Sequence, residues 1–226
     1  MTVTISKPAI NLREQLTELK ATQGYEERQF WFDNLVTNGT FDTDVSGWGN
    51  VGTWVNGSVA WNASGYADVT VVGYQGVAQV ISGLTVGATY SISLEVVDAS
   101  TDTGRVYVGL ATNPGTSTVL NQSTLGVGTH TFYFTASSTS HAVGLSNADG
   151  NGSVGYDNVS VYTSDGTDVA FAMPKGWKPL HVYDDGVLQR EGSAEDYEVT
   201  FDGFNYYVKP TVANPGARNT VIGVRA

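Results

Sequence analysis

The clearest signal along the chain is a period of two. Tyr90, Ile92, Leu94 and Val96 alternate with Ser91, Ser93 and Glu95, and Phe132 and Phe134 stand among Thr131, Tyr133 and Thr135. Side chains that alternate in this way fall on opposite faces of a strand, one buried and one wet. Val106, Val108 and Leu110 repeat the pattern. Clusters such as Asn56-Gly57 and Asn113-Pro114-Gly115 punctuate these runs at near-regular spacing, which predicts an antiparallel sandwich. Farther on, 181–184 and 187–190 flank Asp185-Gly186, and 197–201 and 204–209 flank Asp202-Gly203; both Asp-Gly pairs tolerate the positive φ of a tight hairpin. Residues 220–225 supply a closing strand, and Phe30-Trp31-Phe32 a short early one that would complete a small sandwich if it returns to pair with strands after Ser164. A helical period occurs near the start. Asn11 is a good N-cap, Glu14 follows three residues on, Leu12, Leu16 and Leu19 share one face, and Gly24 ends the segment, so a helix is expected over about residues 11–21. The fold class is therefore all-β, a large β-sandwich plus a smaller C-terminal β-sandwich, with one short N-terminal helix.

Charge sharpens this division. The 22 acidic and 11 basic residues give a net charge of -11, which argues against binding to nucleic-acid phosphates or to an anionic membrane surface. The absence of Cys removes disulfide scaffolds, Cys-based zinc sites and thiol nucleophiles together. No apolar run approaches the roughly 18 residues of a membrane-spanning helix, and residues 1–10 lack the layout of a secretion signal, so synthesis in a cytoplasm is expected. Between Arg28 and Lys175 the only Lys or Arg is Arg105. That asymmetry marks three parts: an N-terminal docking segment, 1–33; a middle module, 34–163; and a C-terminal module, 164–226. The stripe Leu12, Leu16 and Leu19 is too short for a free-standing coiled coil and must dock, either on its own chain or on a neighbouring subunit.

Two resemblances follow from short motifs. Asn34-Leu35-Val36-Thr37-Asn38-Gly39-Thr40-Phe41 with Ser46-Gly47-Trp48, then Gln79-Val80-Ile81-Ser82-Gly83-Leu84 with Gly87-Ala88-Thr89-Tyr90, and finally Tyr156-Asp157-Asn158-Val159-Ser160-Val161 resemble carbohydrate-binding-module families 4, 9 and 22. That resemblance implies a jelly-roll sandwich for the middle module. The flanks, with Ile5-Ser6-Lys7-Pro8, Phe171-Ala172-Met173-Pro174-Lys175-Gly176-Trp177, Val182-Tyr183-Asp184-Asp185-Gly186-Val187-Leu188-Gln189-Arg190-Glu191-Gly192 and Asp196-Tyr197-Glu198-Val199, resemble the β-modules of tailed-bacteriophage virion proteins. This implies a structural protein of the tail, its fibres or the capsid surface, with other virion proteins as partners and a homo-oligomer, commonly a trimer. The middle module would then interrupt the smaller one as an insertion.

The module resemblance also implies candidate sites. A calcium ion often ties the first and last strands of such modules, and Asp42 and Asp157 occupy the nearest matching positions; oxygen donors of this kind suit calcium. Sugar binding needs aromatic faces with polar neighbours. Trp48 reads as core, whereas Trp54, Trp61, Tyr66, Tyr74 and Tyr107 are the freer rings, with Gln79, Asn62 and Arg105 as polar candidates. Catalysis finds little support: the carboxylates at 184, 185, 195 and 196 sit in turn contexts, and His130, His141 and His181 have no metal-ligand spacing. The sequence thus points to a non-enzymatic virion protein that displays a carbohydrate-module-like domain for assembly or host-surface glycan adhesion. A stand-alone carbohydrate-binding module is the alternative.

Overall fold

The computed structural model describes residues 27–32, 34–164, 170–184, 187–192, 195–203, 205–210 and 219–225. The helix expected over about 11–21, with Leu12, Leu16 and Leu19, lies outside these residues. The described elements are all strands. They are β1 (Glu27–Phe32), β2 (Ser58–Asn62), β3 (Tyr66–Val72), β4 (Val77–Ser82), β5 (Thr89–Asp98), β6 (Gly104–Leu110), β7 (Leu120–Leu125), β8 (Gly128–Thr135), β9 (Ser140–Asn147), β10 (Asn151–Thr163), β11 (Phe171–Ala172), β12 (Trp177–Asp184), β13 (Val187–Leu188), β14 (Tyr197–Phe201), β15 (Tyr206–Pro210) and β16 (Asn219–Arg225).

Between β2 and β10 the chain passes back and forth between two antiparallel sheets, a jelly-roll sandwich. One has the order β2-β3-β10-β5-β8 and the other β4-β9-β6-β7. The period of two does what alternation requires. Tyr90, Ile92, Leu94 and Val96 of β5 face Val106 and Val108 of β6 and Val143 and Leu145 of β9 across one core. Phe41, Ile81, Ile92 and Leu94 are among its fully buried members, each contributing roughly 1.5–3 kcal/mol. Leu110 departs from the expected alternation and is exposed, because β6 ends there in a turn closed by Asn113 N–H to the Leu110 carbonyl.

One polar group crosses this core. Tyr156 of β10 is fully buried, donates its hydroxyl hydrogen to the Ser146 carbonyl on β9 and accepts the Arg105 N–H of β6 at 2.8 Å. Burial pushes its hydroxyl pKa far up, so the group stays a neutral donor and acceptor joining the two sheets.

The motif residues interlock at the mouth of the sandwich. Asn34 Oδ1 accepts the N–H groups of Val36 (3.0 Å) and Val161 (2.9 Å), and Leu35 N–H reaches the Val161 carbonyl at 3.0 Å. Gly39 lies against β10 so closely that a Cβ would sit 1.9 Å from the Val159 carbonyl oxygen, which is why Gly stands in that motif. Asn38 adopts φ 50°, a conformation Asn tolerates, and its carbonyl accepts Trp48 Nε1–H at 3.2 Å. Trp48 is accordingly core, 5.7 Å from the Phe41 ring.

The remaining strands form two further sheets, β1-β16-β12-β13 and β11-β15-β14. Between them Phe171, Met173, Trp177, Val182, Tyr197, Val208 and Val221 make a second core, which Tyr162 from the end of β10 joins, its ring 5.6 Å from Phe171. The strand that precedes the large sandwich belongs here. β1 pairs with β16 along its whole length, from Glu27 opposite Val224 to Phe32 opposite Asn219.

Tyr156→Phe tests the polar crossing. It keeps the ring and strands the Arg105 N–H and one Ser146 lone pair in the core, so urea denaturation should show a loss of about 1–3 kcal/mol with an unchanged m-value.

Candidate functional site

The outer face of the sheet β4-β9-β6-β7 gathers the chemistry. On β6 the residues that alternate with core Val106 and Val108 are Arg105 and Tyr107, and on β9 those that alternate with Val143 and Leu145 are Ala142, Gly144 and Ser146. Two loops fold over one end of this face. Thr53 N–H bonds the Thr112 carbonyl at 3.1 Å, and Trp54 N–H closes a turn on Val51 at 3.0 Å. Trp54 is thereby laid across Gly144, where any Cβ would come within 2.9 Å of the indole. It meets Tyr107 edge to face, centroids 5.4 Å apart, and Ala78 and Ala142 complete a small satellite core. Trp54 and Tyr107 are both buried by this arrangement.

Beside that plug the face is open. The Arg105 guanidinium carbon lies 4.7 Å from the Tyr107 ring centroid and 5.9 Å from that of Tyr74, and Arg105 Nε donates to Asn121 Oδ1 at 3.0 Å. Tyr74 is 52% exposed, yet fixed: its backbone has φ 65°, its carbonyl accepts the Ser146 hydroxyl at 2.8 Å, and its ring rests on Gly150. Burial pushes the Tyr107 hydroxyl pKa up; Arg105 opposes this and Tyr74 adds to it. The result is a shelf of one open aromatic ring, one guanidinium and one amide. Such a shelf can stack the apolar face of a sugar and direct hydrogen bonds to its polar groups.

The other sequence candidates fall elsewhere. Trp61 is 42% exposed but lies on β2, in the opposite sheet, its Nε1–H donated to the Phe41 carbonyl at 2.8 Å. Tyr66 on β3 accepts from Asn62 Nδ2 at 2.8 Å and is half-buried. Gln79 is no surface contact. It is buried, accepting Thr37 N–H at 2.7 Å and donating to the Thr37 carbonyl at 2.9 Å and the Gly47 carbonyl at 3.3 Å, so it clamps the opening motif. Asn121 was the residue missed. It stands directly opposite Tyr107 on β7, a register that a lone Asn in a Ser-rich run does not announce.

Glu95 and Asp42 both lie within electrostatic reach of Asp157. Burial pushes the Asp157 pKa up from its ordinary value; the Asn158 N–H bond opposes this, and the charges of Glu95 and Asp42 add to it. Each carboxylate is already engaged: Asp157 Oδ1 accepts Asn158 N–H at 2.7 Å, Glu95 Oε2 accepts Asn158 Nδ2 at 2.9 Å, and Asp42 Oδ2 accepts the Thr40 hydroxyl at 2.8 Å. Asn158 Nδ2 also donates to Asp157 Oδ2 at 3.3 Å, so one amide bridges two of the carboxylates. Among the described residues no three His, Asp or Glu are grouped to hold a metal.

No family model matches the chain, and no curated protein matches it. Solved structures do. One is described as "CBM4 structure and function": 22% identity, TM-score 0.46, over 57% of this chain and 99% of that one. Another is the CBM22-1 xylan-binding domain of Xyn10C from Paenibacillus barcinonensis: 12% identity, TM-score 0.42, over 58% and 95%. A third is the enzymatically active domain of tailspike protein 4 of bacteriophage CBA120: 15% identity, TM-score 0.41, over 58% of this chain and 21% of that one. At these identities and scores the likeness carries no argument about a ligand.

Two outcomes follow from this geometry. Trp54→Ala removes a buried ring and should lower unfolding free energy by roughly 3 kcal/mol, whereas Tyr74→Ala should change it far less, both read by denaturant titration. Asp157, with its folded pKa raised, contributes stability that is full below its ordinary value of 3.8 and is lost as pH rises through the raised one. Asp157→Asn should therefore gain on the parent protein as pH rises from about 4 to about 7.

Proposed function

We propose that this chain is a non-enzymatic structural protein of a phage particle, on the tail, its fibres or the capsid surface, that holds out a carbohydrate-module-like sandwich for adhesion to host-surface glycan. The observation that carries the reading is topological. The chain runs from β1 of the small unit into the large sandwich at Asn34, and returns from Thr163 into the same small unit, with entry and exit hydrogen-bonded to each other. An excursion with adjacent ends is the form in which one unit can be displayed from another without disturbing it. On this reading 34–163 is an insertion, and 1–33 together with 164–226 is the assembly part.

Partners of the assembly part are other virion proteins and further copies of the chain, a trimer by the resemblance of the flanks, with Leu12, Leu16 and Leu19 as the docking stripe. Synthesis takes place in the host bacterial cytoplasm, and the protein works on the virion surface. An adhesive rather than catalytic role is supported by the shelf itself. Glycoside hydrolysis needs two carboxylates across a cleft, and the shelf offers Tyr74, Arg105, Tyr107 and Asn121.

A stand-alone carbohydrate-binding module is the second reading, favoured by the closed core that the large sandwich has to itself. The two part on the particle. Peptide mass spectrometry of purified virions should find this chain, and virions without it would remove the first reading and leave the second. For the shelf, Tyr74→Ala should weaken binding on a glycan array by roughly fivefold with little change in melting temperature, since an aromatic contact of this kind is worth about 1 kcal/mol.

A further inference from the structure

We infer that the shelf takes an acidic polysaccharide, one whose sugars carry a carboxylate, and that Arg105 is the residue that recognises it. This rests on the glycan-binding reading above and names the class of glycan.

The argument begins with an oddity of charge. Arg105 is the only Lys or Arg between Arg28 and Lys175, in a chain with net charge -11. A lone cation in an acidic stretch ordinarily ends up in an ion pair. The described ion pairs instead involve Arg190 with Glu195 and Asp196, and no described carboxylate stands within 4.0 Å of Arg105. The acidic residue just before β6 is turned to other work, Asp102 accepting the N–H groups of Thr103 at 2.6 Å and Asp149 at 3.0 Å.

The guanidinium is nonetheless held in place. Its Nε is bonded to Asn121 Oδ1, and its carbon lies over the Tyr107 ring, which Trp54 in turn fixes from the side. Among the described residues no hydrogen bond is made by its two Nη atoms, which are left as a pre-oriented fork next to the exposed Tyr74 ring. A planar fork of this kind matches a carboxylate bidentately, and little side-chain freedom is left to lose on binding.

A neutral glycan would be served by amide and hydroxyl donors and has no need of a full charge. An acidic one would be repelled by the acidic surface except where a fixed cation meets it. The surrounding negative charge then works as selectivity, because it admits an acidic polymer only in the register that brings a carboxylate to Arg105.

The test uses the full chain with polygalacturonate, its methyl-esterified form and a neutral xylan, by affinity electrophoresis and calorimetry. The expected result is binding to polygalacturonate that falls at least tenfold on methyl esterification, falls again with added salt, and is lost in Arg105→Gln. Arg105→Lys, which keeps the charge without the fork, should recover it in part. Should Arg105→Gln melt early, Asn121→Ala, which frees Nε, should weaken binding in a chain of normal stability. Polysialic acid in place of polygalacturonate separates a sialate from a uronate, and binding to either supports the inference. Equal affinity for the acid and its ester, or binding to xylan alone, overturns the inference and leaves the glycan reading standing; binding to none of the glycans overturns both.

Discussion

The arrangement of the whole molecule hangs on the few hydrogen bonds where the chain enters and leaves the large sandwich. Asn34 satisfies two backbone N–H groups at once, one just after the entry and one on the departing strand β10, and Gly39 lets the entering backbone lie against Val159 with no side chain between. Because these two stretches are bound together, β1 on one side and β11 on the other begin from the same place. That allows β1 to pair with β16 and Tyr162 to lend its ring to the second core.

Within the sandwich, polar groups do the fine positioning and apolar ones supply the bulk. Tyr156 joins the two sheets through a hydroxyl that burial keeps neutral, and it does so by holding the backbone of Arg105, so the core sets the position of the residue on which the outer face depends. His141, also buried, performs a similar service: Nδ1 lies 2.8 Å from the Gly109 carbonyl and Nε2 accepts Ser137 N–H at 3.2 Å, which fixes the proton on Nδ1. On the outer face the small residues Ala78, Ala142 and Gly144 make room for Trp54, and Trp54 steadies Tyr107 beneath Arg105. Two of the rings that could have touched a ligand are thus spent on packing, and what they support is a single exposed ring beside a single cation.

Much of this was legible in the residues. Alternation placed β5, β6 and β8, and the Asp-Gly pairs marked both small hairpins, because a period of two and a positive-φ turn are local properties that need no distant partner. The same alternation, followed through core Val106 and Val108, puts Arg105 and Tyr107 on one face. Gln79 shows the limit. As a lone polar residue amid Val77, Ala78, Val80 and Ile81 it looked available to a ligand, but its partners Thr37 and Gly47 lie 42 and 32 residues away and only the folded chain brings them to it.

The sequence by itself determined that this is an all-β protein with an acidic middle stretch containing one cation, since strand period and composition are written residue by residue. Tertiary structure alone decided that Trp54 and Tyr107 are packed away while Tyr74 stays open, that Asn121 stands across from Tyr107, and that the first described strand closes on the last. These are consequences of strand register and of close approach between backbones far apart in the chain, and neither leaves a mark on any short run of residues.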